Sequence, residues 1–554
     1  MIPSEAERYR MLQWEYHSLK AYPDPFNDIE LDIVITLPSR KKVTIPAFWM
    51  GGSKWGARFI PKEIGSHHIH TQCSDTKNPS LHSISATFTV TESTRTLPPY
   101  IKISQQKYSL VTEENQPFFW FADTWWMALS RRLSFPDDFH RLASRRKKQH
   151  FNTIMLVAGL FPDMDSFDPR GKNEEGFPWE EGYARINPAY FDAADKRIAY
   201  LVEEGFIPCI LGSWGYYLLK MGEEKMKQHW RYIIARWGCY PVVWCIAGEA
   251  TMPFYLSQNR TKEMYALHEG WTRVATYIRE IEPFGNPVTI HPTEIGREQL
   301  QDPSLIDFNL IQSGHNDYSS VDRTIELIRQ EYKKSPRFPV ILGEANYEGI
   351  LKNTTPKMQR LTFWSAILNG AKGYSYGANG IWQINTPQYP FGSSPHGESW
   401  GDTPWEESLF FQGASHLGLA KQFLEQYPWW KISPHPEWIT PQKNTYHHMT
   451  PQVGGIPRKL RIVYLYHMSH TWWRRRYRMT CLEDGICYRA FFWNPRNGET
   501  HPLGQILSGR KGVWIIPLPP DKEDWLLVME SESSPPNRKN QTKPHIYSRT
   551  VSST

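Results

Sequence analysis

Two glutamates of this chain share a setting that is typical of hydrolytic acids, since each follows a glycine at the end of a short apolar run. The first run ends at Glu249 and the second at Glu344. Two carboxyl groups about 5–5.5 Å apart can cleave a glycosidic bond, because one protonates the leaving oxygen while the other attacks the anomeric carbon. One such carboxylate often only binds loop backbone, but two in the same setting favour catalysis. We predict Glu249 as the acid/base and Glu344 as the nucleophile.

Three further residues lie near the ends of apolar runs and are weaker candidates for a substrate site. Asp123 can hydrogen-bond a sugar hydroxyl or cap the helix that follows it. His291 and His315 can bind hydroxyl groups or position a catalytic carboxylate. For each histidine, a hydrogen-bonded residue of the core is an equal alternative.

Aromatic side chains are abundant, at 14% of the residues, with 24 Trp and 28 Tyr. Their faces pack on sugar rings, and burial among them raises the pKa of a carboxylic acid. Tyr347, three residues after Glu344, is predicted to support the nucleophile, and Trp214 and Trp382 are candidate sugar platforms. For each of these rings, plain core packing is the alternative.

The elements that would bring these residues together alternate along residues 118–427. Apolar runs are separated by amphipathic segments, although the helical pattern after the fifth run is weak. This alternation predicts an α/β fold, a (β/α)8 TIM barrel over residues 105–427, with catalytic groups at the carboxyl ends of its strands. An open dinucleotide-binding sheet is disfavoured, because no glycine-rich turn follows the first run. The eight runs are 118–121, 153–158, 207–211, 242–246, 287–290, 306–311, 340–342 and 371–376.

The segments on either side of the barrel have the texture of antiparallel sheets. Residues 1–97 show period-two alternation between turn signals, which predicts an immunoglobulin-like β-sandwich. Residues 428–530 are again rich in short strands and predict a second β-sandwich. Residues 531–554 are polar and contain Pro and Ser, and we expect a disordered tail.

Several of these segments resemble a known family. Residues 118–126 (FFWFADTWW) look like the opening barrel strand of the apiosidase-like glycoside hydrolases, the DUF4038 family. The N-terminal region is similar to the DUF5060 sandwich that precedes such barrels, and the C-terminal region resembles the small β-domain often found after them. The other segments that carry the resemblance are 244–249, 312–315, 343–344 and 347–349 in the barrel, 14–15, 24–26 and 55–61 before it, and 492–498 and 524–528 after it.

The resemblance implies a barrel hydrolase that acts on glycans, with the two strand-end acids as its catalysts. It covers nearly the whole chain but does not determine the sugar. In the broader clan of such barrels an Asn usually precedes the acid/base, whereas this chain has Gly248, so the contact of that Asn with the sugar 2-hydroxyl must come from elsewhere. The first-strand motif more often reads Gly-Asp-Thr, and here Ala122 replaces the glycine.

Charge and hydropathy exclude two other classes of protein. The net charge is +6 over 554 residues, a weak field that argues against a nucleic-acid partner, and the basic run 145–148 is interpreted as a solvated helix face. No run reaches the ~18 apolar residues of a membrane span. The first ten residues lack the apolar core of a signal peptide. We expect a cytoplasmic protein, or a secreted one whose signal peptide has been removed; the oligomeric state is left open.

No metal or cofactor is expected from the residue pattern. Asp163, Asp165 and Asp168 have a calcium-like spacing, but the Gly and Glu offsets of an EF-hand loop are absent, so we interpret the segment as a solvated substrate loop. Zinc-ligand spacing is absent as well. His291 and His315 alone fall short of the ligand set of a metal-dependent hydrolase.

The favoured hypothesis is a glycoside hydrolase that cleaves a poly- or oligosaccharide by a retaining mechanism with two glutamates. The rival is a non-catalytic carbohydrate-binding or scaffold protein on the same barrel. The two differ in whether Glu249 and Glu344 converge in an open pocket. Sequence does not separate removal of terminal sugars from cleavage within a chain.

Overall fold

The computed structural model describes residues 3–94, 96–352, 354–442, 444–466, 476–507 and 512–531. The tail predicted over residues 531–554 lies outside the described residues, apart from Ser531 at the end of the last strand. Among the described residues, no helix combines the length and the apolar character needed to cross a bilayer.

The N-terminal region consists of two sheets that enclose one apolar core. A five-stranded sheet has the order β1-β8-β7-β3-β4, and a three-stranded sheet has the order β2-β6-β5. Burial alternates along β7, as expected for a strand with one solvated face, and the inward side chains of both sheets share the core. In chain order the elements are β1 (Glu5–Glu7), β2 (Leu12–His17), α1 (Pro25–Asp28), β3 (Leu31–Thr36), β4 (Lys42–Pro46), β5 (Phe48–Trp49), β6 (Lys54–Phe59), β7 (Gly65–Cys73) and β8 (Ser85–Thr91).

A small antiparallel sheet connects this region to the barrel. It consists of β9 (Ile101–Ile103), β10 (Leu110–Thr112) and β11 (Pro117–Phe118). The first predicted barrel run therefore divides, because Phe118 pairs with Leu110 in this sheet while the barrel strand starts at Trp120.

Eight parallel strands form the barrel and confirm the predicted fold class. Their order is β16-β15-β14-β13-β12-β19-β18-β17, and the gap between β16 and β17 is bridged by the backbone bond from Asp307 N to Val288 O, 2.7 Å. Every residue of these strands is buried, which explains why they read as continuous apolar runs. From first to eighth they are β12 (Trp120–Thr124), β13 (Thr153–Val157), β14 (Ile207–Leu211), β15 (Val243–Cys245), β16 (Val288–Thr289), β17 (Asn309–Gln312), β18 (Val340–Glu344) and β19 (Gly373–Tyr376).

Helices surround the barrel between successive strands. After the fifth strand the chain forms only two 3₁₀ turns, Gly296–Glu298 and Pro303–Leu305, where the sequence pattern is weak. The helices are α2 (Asp137–Lys148), α3 (Pro188–Glu203), α4 (Tyr217–Met221), α5 (Glu223–Trp237), α6 (Arg260–Ile281), α7 (Tyr318–Lys333), α8 (Pro356–Leu368), α9 (Trp405–Ser408) and α10 (Gln412–Glu425).

The C-terminal region is also built from two sheets over a common core. The larger has the order β20-β22-β23-β28-β25-β26, and the smaller has the order β21-β24-β27. The strands are β20 (Ser433–Pro434), β21 (Ile439–Thr440), β22 (Gln452–Ile456), β23 (Leu460–Leu465), β24 (Arg478–Met479), β25 (Cys487–Trp493), β26 (Thr500–Leu507), β27 (Trp514–Ile515) and β28 (Trp525–Ser531).

Buried ion pairs join both flanking regions to helices of the barrel. Arg58 of β6 bonds Asp195 of α3 at 2.5 Å, and Arg360 of α8 makes two bonds of 2.7 Å to Asp524 beside β28. Such pairs fix orientation, because breaking one leaves an uncompensated buried charge. The ion pairs therefore tie both flanking regions to outer helices of the barrel.

Candidate active site

The carboxyl ends of the barrel strands open into a cleft of about 390 Å³. Glu249, after the fourth strand, and Glu344, at the end of the seventh, both line it. Four tryptophans form much of its apolar lining: Trp126, Trp214, Trp382 and Trp400. The structure thus brings the two predicted acids together in one open space lined by rings.

Glu344 has two hydrogen-bonded side-chain partners and a third polar group close to it. His315 Nε2 lies 2.9 Å from its Oε1, the Tyr347 hydroxyl donates to its Oε2 at 2.6 Å, and His291 Nε2 lies 3.1 Å from Oε2. The Tyr347 backbone N–H donates to His315 Nδ1, which leaves the His315 proton on Nε2, facing the carboxylate. Burial alone would raise the pKa of Glu344, but the two imidazoles more than offset it and hold the pKa far below its usual range. Glu344 is an oriented anion.

The surroundings of Glu249 shift its pKa in the opposite direction to that of Glu344. Trp214 Nε1 donates to its Oε2 at 3.2 Å and Gln312 Nε2 donates to its Oε1 at 2.9 Å, both neutral donors. Burial raises the pKa of Glu249, and the nearby charge of Glu344 raises it further. The backbone of Glu249 is in the left-handed region at φ 43°, a strained conformation that is concentrated at functional sites.

The glycine before Glu249 has a steric reason. A Cβ atom at Gly248 would lie 2.3 Å from the Trp214 indole, so the ring fills the space that any side chain there would need. Gly248 and Trp214 are also paired by a parallel β-bridge. Trp214 lines the cleft, and its ring explains why position 248 has no side chain.

Asp123 is one of two predicted site residues that do not line the cleft; the other, His291, lies against Glu344. Its side chain is completely buried, with Arg146 Nε and Trp125 Nε1 each 2.6 Å from Oδ2 and the Thr124 N–H 3.0 Å from Oδ1. The expectation of a sugar contact is therefore wrong for this conformation, because both oxygens are engaged and no solvent reaches them. The solvated face predicted for residues 145–148 is likewise wrong for Arg146, which is buried against Asp123.

The remaining predicted residues divide by exposure. His315, Tyr347 and Trp382 line the cleft. His291 is fully buried behind Glu344, with its ring edge-on to Trp126 at 5.5 Å, so it can act on the carboxylate and not on a sugar. Of the two functions considered for this histidine, the geometry supports positioning of the carboxylate.

Sequence reasoning missed Gln312, Asp163 and Trp400, which also line the cleft. Gln312 directly follows the sixth apolar run, so a search that included amides as well as ionisable groups would find it. Asp163 was assigned to a solvated substrate loop without a role of its own; it lines the cleft but is only 7% exposed. Trp400 lies in a long segment after the eighth strand that has no periodic pattern and gives no sequence signal.

A possible metal-ligand group lies away from this cleft. Asp322 of α7, His447 and His448 place one ligand atom each within 4.8 Å of one another. His448 Nδ1 is already 2.9 Å from Asp322 Oδ1, and the two imidazole rings are stacked at 4.3 Å and 26°. Nearly parallel rings direct their lone pairs side by side, so this group does not form a convergent ligand set.

The barrel sequence matches the family model described as the apiosidase-like catalytic domain over residues 104–431, which is more than half of the chain. The chain belongs to the apiosidase-like family. Residues 5–74 match DUF5060, a domain of unknown function. The predicted resemblance is thereby confirmed, and membership of the family supports glycosidase activity on a carbohydrate. No curated protein matches the chain in sequence.

Solved structures share the architecture of this apiosidase-like protein. A glycoside hydrolase with 20% identity has a TM-score of 0.64 over 79% of this chain and 98% of its own. A glycoside hydrolase family 5 protein from Bacteroides vulgatus ATCC 8482, also 20% identical, has a TM-score of 0.65 over 78% of this chain and 93% of its own. A second protein from that organism, 14% identical, has a TM-score of 0.65 over 96% of this chain and 100% of its own. At these identities the likeness shows the fold.

Proposed function

We propose that this apiosidase-like protein is a retaining glycoside hydrolase, with Glu344 as nucleophile and Glu249 as acid/base. One observation carries the proposal: two carboxyl groups line one cleft, and their different hydrogen-bond partners shift their pKa values in opposite directions. Such divergence distinguishes the acid from the anion when a single fold uses two carboxylic acids.

The surroundings of each glutamate suit one half of the reaction. In the first step the Glu344 carboxylate bonds to the anomeric carbon while the glycosidic bond breaks, and Glu249 gives its proton to the departing oxygen. In the second step the Glu249 carboxylate takes a proton from water, the water oxygen bonds to the anomeric carbon, and the ester to Glu344 breaks. The enzyme returns to its starting protonation state, and the configuration of the sugar is retained.

The Glu344 partners favour a nucleophile over a general base. A nucleophile needs a fixed direction of attack, and His315, Tyr347 and His291 constrain both carboxylate oxygens. Tyr347 contacts the Oε2 atom and lines the cleft, so its hydroxyl can also stabilise charge near the sugar ring oxygen. Both carboxyl groups line the same cleft, as a reaction that uses the two together requires.

The test begins with a panel of 4-nitrophenyl glycosides covering both anomers of common pentoses and hexoses. For each hydrolysed glycoside, proton NMR identifies the anomer that is released first. We expect the anomer of the substrate. Release of the opposite anomer would replace retention by inversion, and no hydrolysis of any member would favour the carbohydrate-binding alternative.

Chemical rescue tests the two assignments separately. In Glu249→Ala, azide should restore turnover of activated aryl glycosides and yield a glycosyl azide of retained configuration, because a small anion can attack the intermediate without base assistance. In Glu344→Ala, azide should yield the inverted glycosyl azide. Glu294→Gln, an exposed carboxylate paired with Arg323, is the control and should behave like the wild type.

A further inference from the structure

One side of the cleft is closed by a wall that the proposed reaction does not explain. It is formed by the loops after the second, fourth and eighth strands, represented by Asp163, Tyr255 and Ser394. The Ser394 hydroxyl donates to Asp163 Oδ1 at 2.5 Å, and the Asp163 backbone N–H donates to the Tyr255 hydroxyl at 3.1 Å. We call these three residues, with His396 and Trp400, the wall.

Further contacts hold the wall in place. Trp400 Nε1 lies 3.2 Å from the Ser394 hydroxyl oxygen, and the rings of Tyr255 and His396 meet edge-to-face at 5.2 Å. Outside the wall, Arg170 Nη1 donates to the Phe391 carbonyl at 2.9 Å and ties the second loop to the eighth again. The contacts include bonds that require particular side chains, so the wall is a built feature and not a chance approach of loops.

The order of the barrel strands shows which side is closed. The second and eighth strands flank the first, and the fourth lies across the mouth from the eighth. Loop contacts from the eighth to the second and fourth strands therefore cover the sector over strands one to three. The opposite side of the cleft is lined by Gly314, Asn316 and Leu351, which are half-buried or exposed, and the Trp400 ring meets the His315 ring there at 6.2 Å. A glycan that continued in both directions past the acids would meet the wall.

Asp163 supplies the wall with an unusual group for that position. It lines the cleft, it is 7% exposed, and it makes no ion pair among the described residues. Burial raises the pKa of Asp163, and hydrogen bonds with Ser394, Tyr255 and Trp400 partly offset the rise. A carboxylate that faces a cleft in this way is a strong acceptor for vicinal sugar hydroxyls.

We propose that the cleft takes the non-reducing end of a glycan, with the terminal sugar against the wall and its hydroxyl groups bonded to Asp163. The protein then acts in the exo mode and releases one sugar per cleavage. This inference rests on the proposed function, since it concerns the same cleft and the same two acids. Asp163 is a specificity-determining residue that reads the chain end.

The mode of cleavage is tested with oligosaccharides of the sugar that the aryl glycoside panel identifies, labelled at the reducing end with a fluorophore. Exo action predicts that early samples contain labelled products shortened by one unit, together with free monosaccharide. Short labelled products without the intermediate lengths would overturn the inference while leaving the glycosidase proposal intact. If neither the aryl glycosides nor the labelled oligosaccharides of any sugar in the panel are hydrolysed, both proposals are contradicted.

The role of Asp163 is tested with Asp163→Asn, which keeps the size of the side chain. We expect kcat/KM to fall about 10- to 100-fold, as for loss of a hydrogen bond to a charged group. Asp165→Asn is the matched control, because Asp165 lies in the same loop but pairs with Lys220 on the surface, and its kcat/KM should not change. Ser394→Ala is a second variant in case the first fails to fold, with thermal midpoints measured for all.

A purely structural effect is separated by deoxy substrates. Aryl glycosides that lack one hydroxyl of the terminal sugar should be hydrolysed more slowly by the wild type than the intact substrate. When the missing hydroxyl is the one that Asp163 binds, the Asp163→Asn variant should hydrolyse the deoxy and the intact substrate equally well. If every deoxy substrate loses as much with the variant as with the wild type, Asp163 does not contact the sugar, and that part of the proposal is wrong.

Discussion

Two carboxylates at strand ends, Asp123 on the first strand and Glu344 on the seventh, occupy equivalent places in the barrel but differ in their partners. Asp123 is neutralised by the guanidinium of Arg146, which is permanently charged. Glu344 is hydrogen-bonded to the His315 imidazole and the Tyr347 phenol, with the His291 imidazole 3.1 Å away, and none of these groups carries a permanent charge. One carboxylate is sealed and the other faces the cleft.

The difference teaches what makes a buried carboxylate available for chemistry. In a full ion pair the guanidinium neutralises the carboxylate, which then has a structural role and is not free to react. Neutral donors orient the oxygens and stabilise the anion while leaving its charge uncompensated toward the substrate. Glu249 is a third case, since Trp214 and Gln312 give it less stabilisation and its proton is retained more strongly.

The largest expected effect separates the two cleft glutamates. Glu344→Gln should lower kcat by at least about 10⁴-fold on every glycoside, because the nucleophile is required whatever the leaving group. Glu249→Gln should lose about 10²- to 10⁴-fold on alkyl glycosides. On dinitrophenyl glycosides its loss should be much smaller, since that leaving group needs no proton.

Steady-state kinetics over a series of leaving groups checks this contrast, with Glu294→Gln as the control. A Glu249→Gln loss that is the same for alkyl and dinitrophenyl glycosides would break the acid/base assignment. A Glu344→Gln variant that keeps activity on good leaving groups would break the nucleophile assignment.

The next effect concerns the sealed carboxylate and falls on stability. Asp123→Asn should lower the free energy of unfolding by about 3–5 kcal/mol, because Arg146 is left buried without its counter-charge. Urea unfolding measures the loss. The double variant Asp123→Asn/Arg146→Gln, which leaves no buried charge, should recover part of it.

Asp137→Asn, an exposed acid in the first turn of α2, is the control for that comparison and should cost no more than about 1 kcal/mol. If Asp123→Asn unfolds like the wild type but loses turnover on all substrates, Asp123 takes part in the reaction. The distinction between a structural Asp123 and a reactive Glu344 would then be wrong.

The smallest expected effect is on the thermal midpoint, which substitution of Glu249 and substitution of Glu344 should shift in opposite directions. Because the folded pKa of Glu344 is lowered, its anion stabilises the fold above the ordinary carboxyl pKa of 4.5, and this contribution shrinks as the pH falls further. Because the folded pKa of Glu249 is raised, its ionisation destabilises the fold at high pH, and this penalty is absent at pH 4 and below.

Calorimetry at pH 8 and pH 4 checks these signs. At pH 8, Glu249→Gln should melt about 2 °C above the wild type and Glu344→Gln below it. At pH 4, Glu249→Gln should melt with the wild type. Shifts of the same sign for both variants at pH 8 would show that the two carboxyl groups do not differ as described.

Some features of the site could be predicted from single residues. Glu249 and Glu344 were found because each ends an apolar run, and in a parallel barrel the ends of such runs meet at one mouth. Tyr347 was found because its position three residues on keeps it near Glu344. The weak helix after the fifth strand was visible as a break in the apolar period, and the chain there forms 3₁₀ turns.

Other features depend on partners that are distant in the chain. Arg146 seals Asp123 from a helix 23 residues later, and its basic neighbours suggested a solvated face. Ser394 reaches Asp163 across 231 residues, through a loop without periodicity. Gly248 departs from the family pattern, and the reason is the Trp214 ring, which occupies the space beside it.

The sequence by itself determined the family, the barrel and the positions of the two acids, because these follow from local patterns of apolar and polar residues along each strand. Only the tertiary structure decided the surroundings of each carboxyl group. Its pKa depends on burial and on charges a few ångströms away, and those are supplied by residues such as His315 and Arg146 from other elements. The local sequence pattern determines where a carboxylate lies along its strand, and the tertiary structure determines which residues surround it.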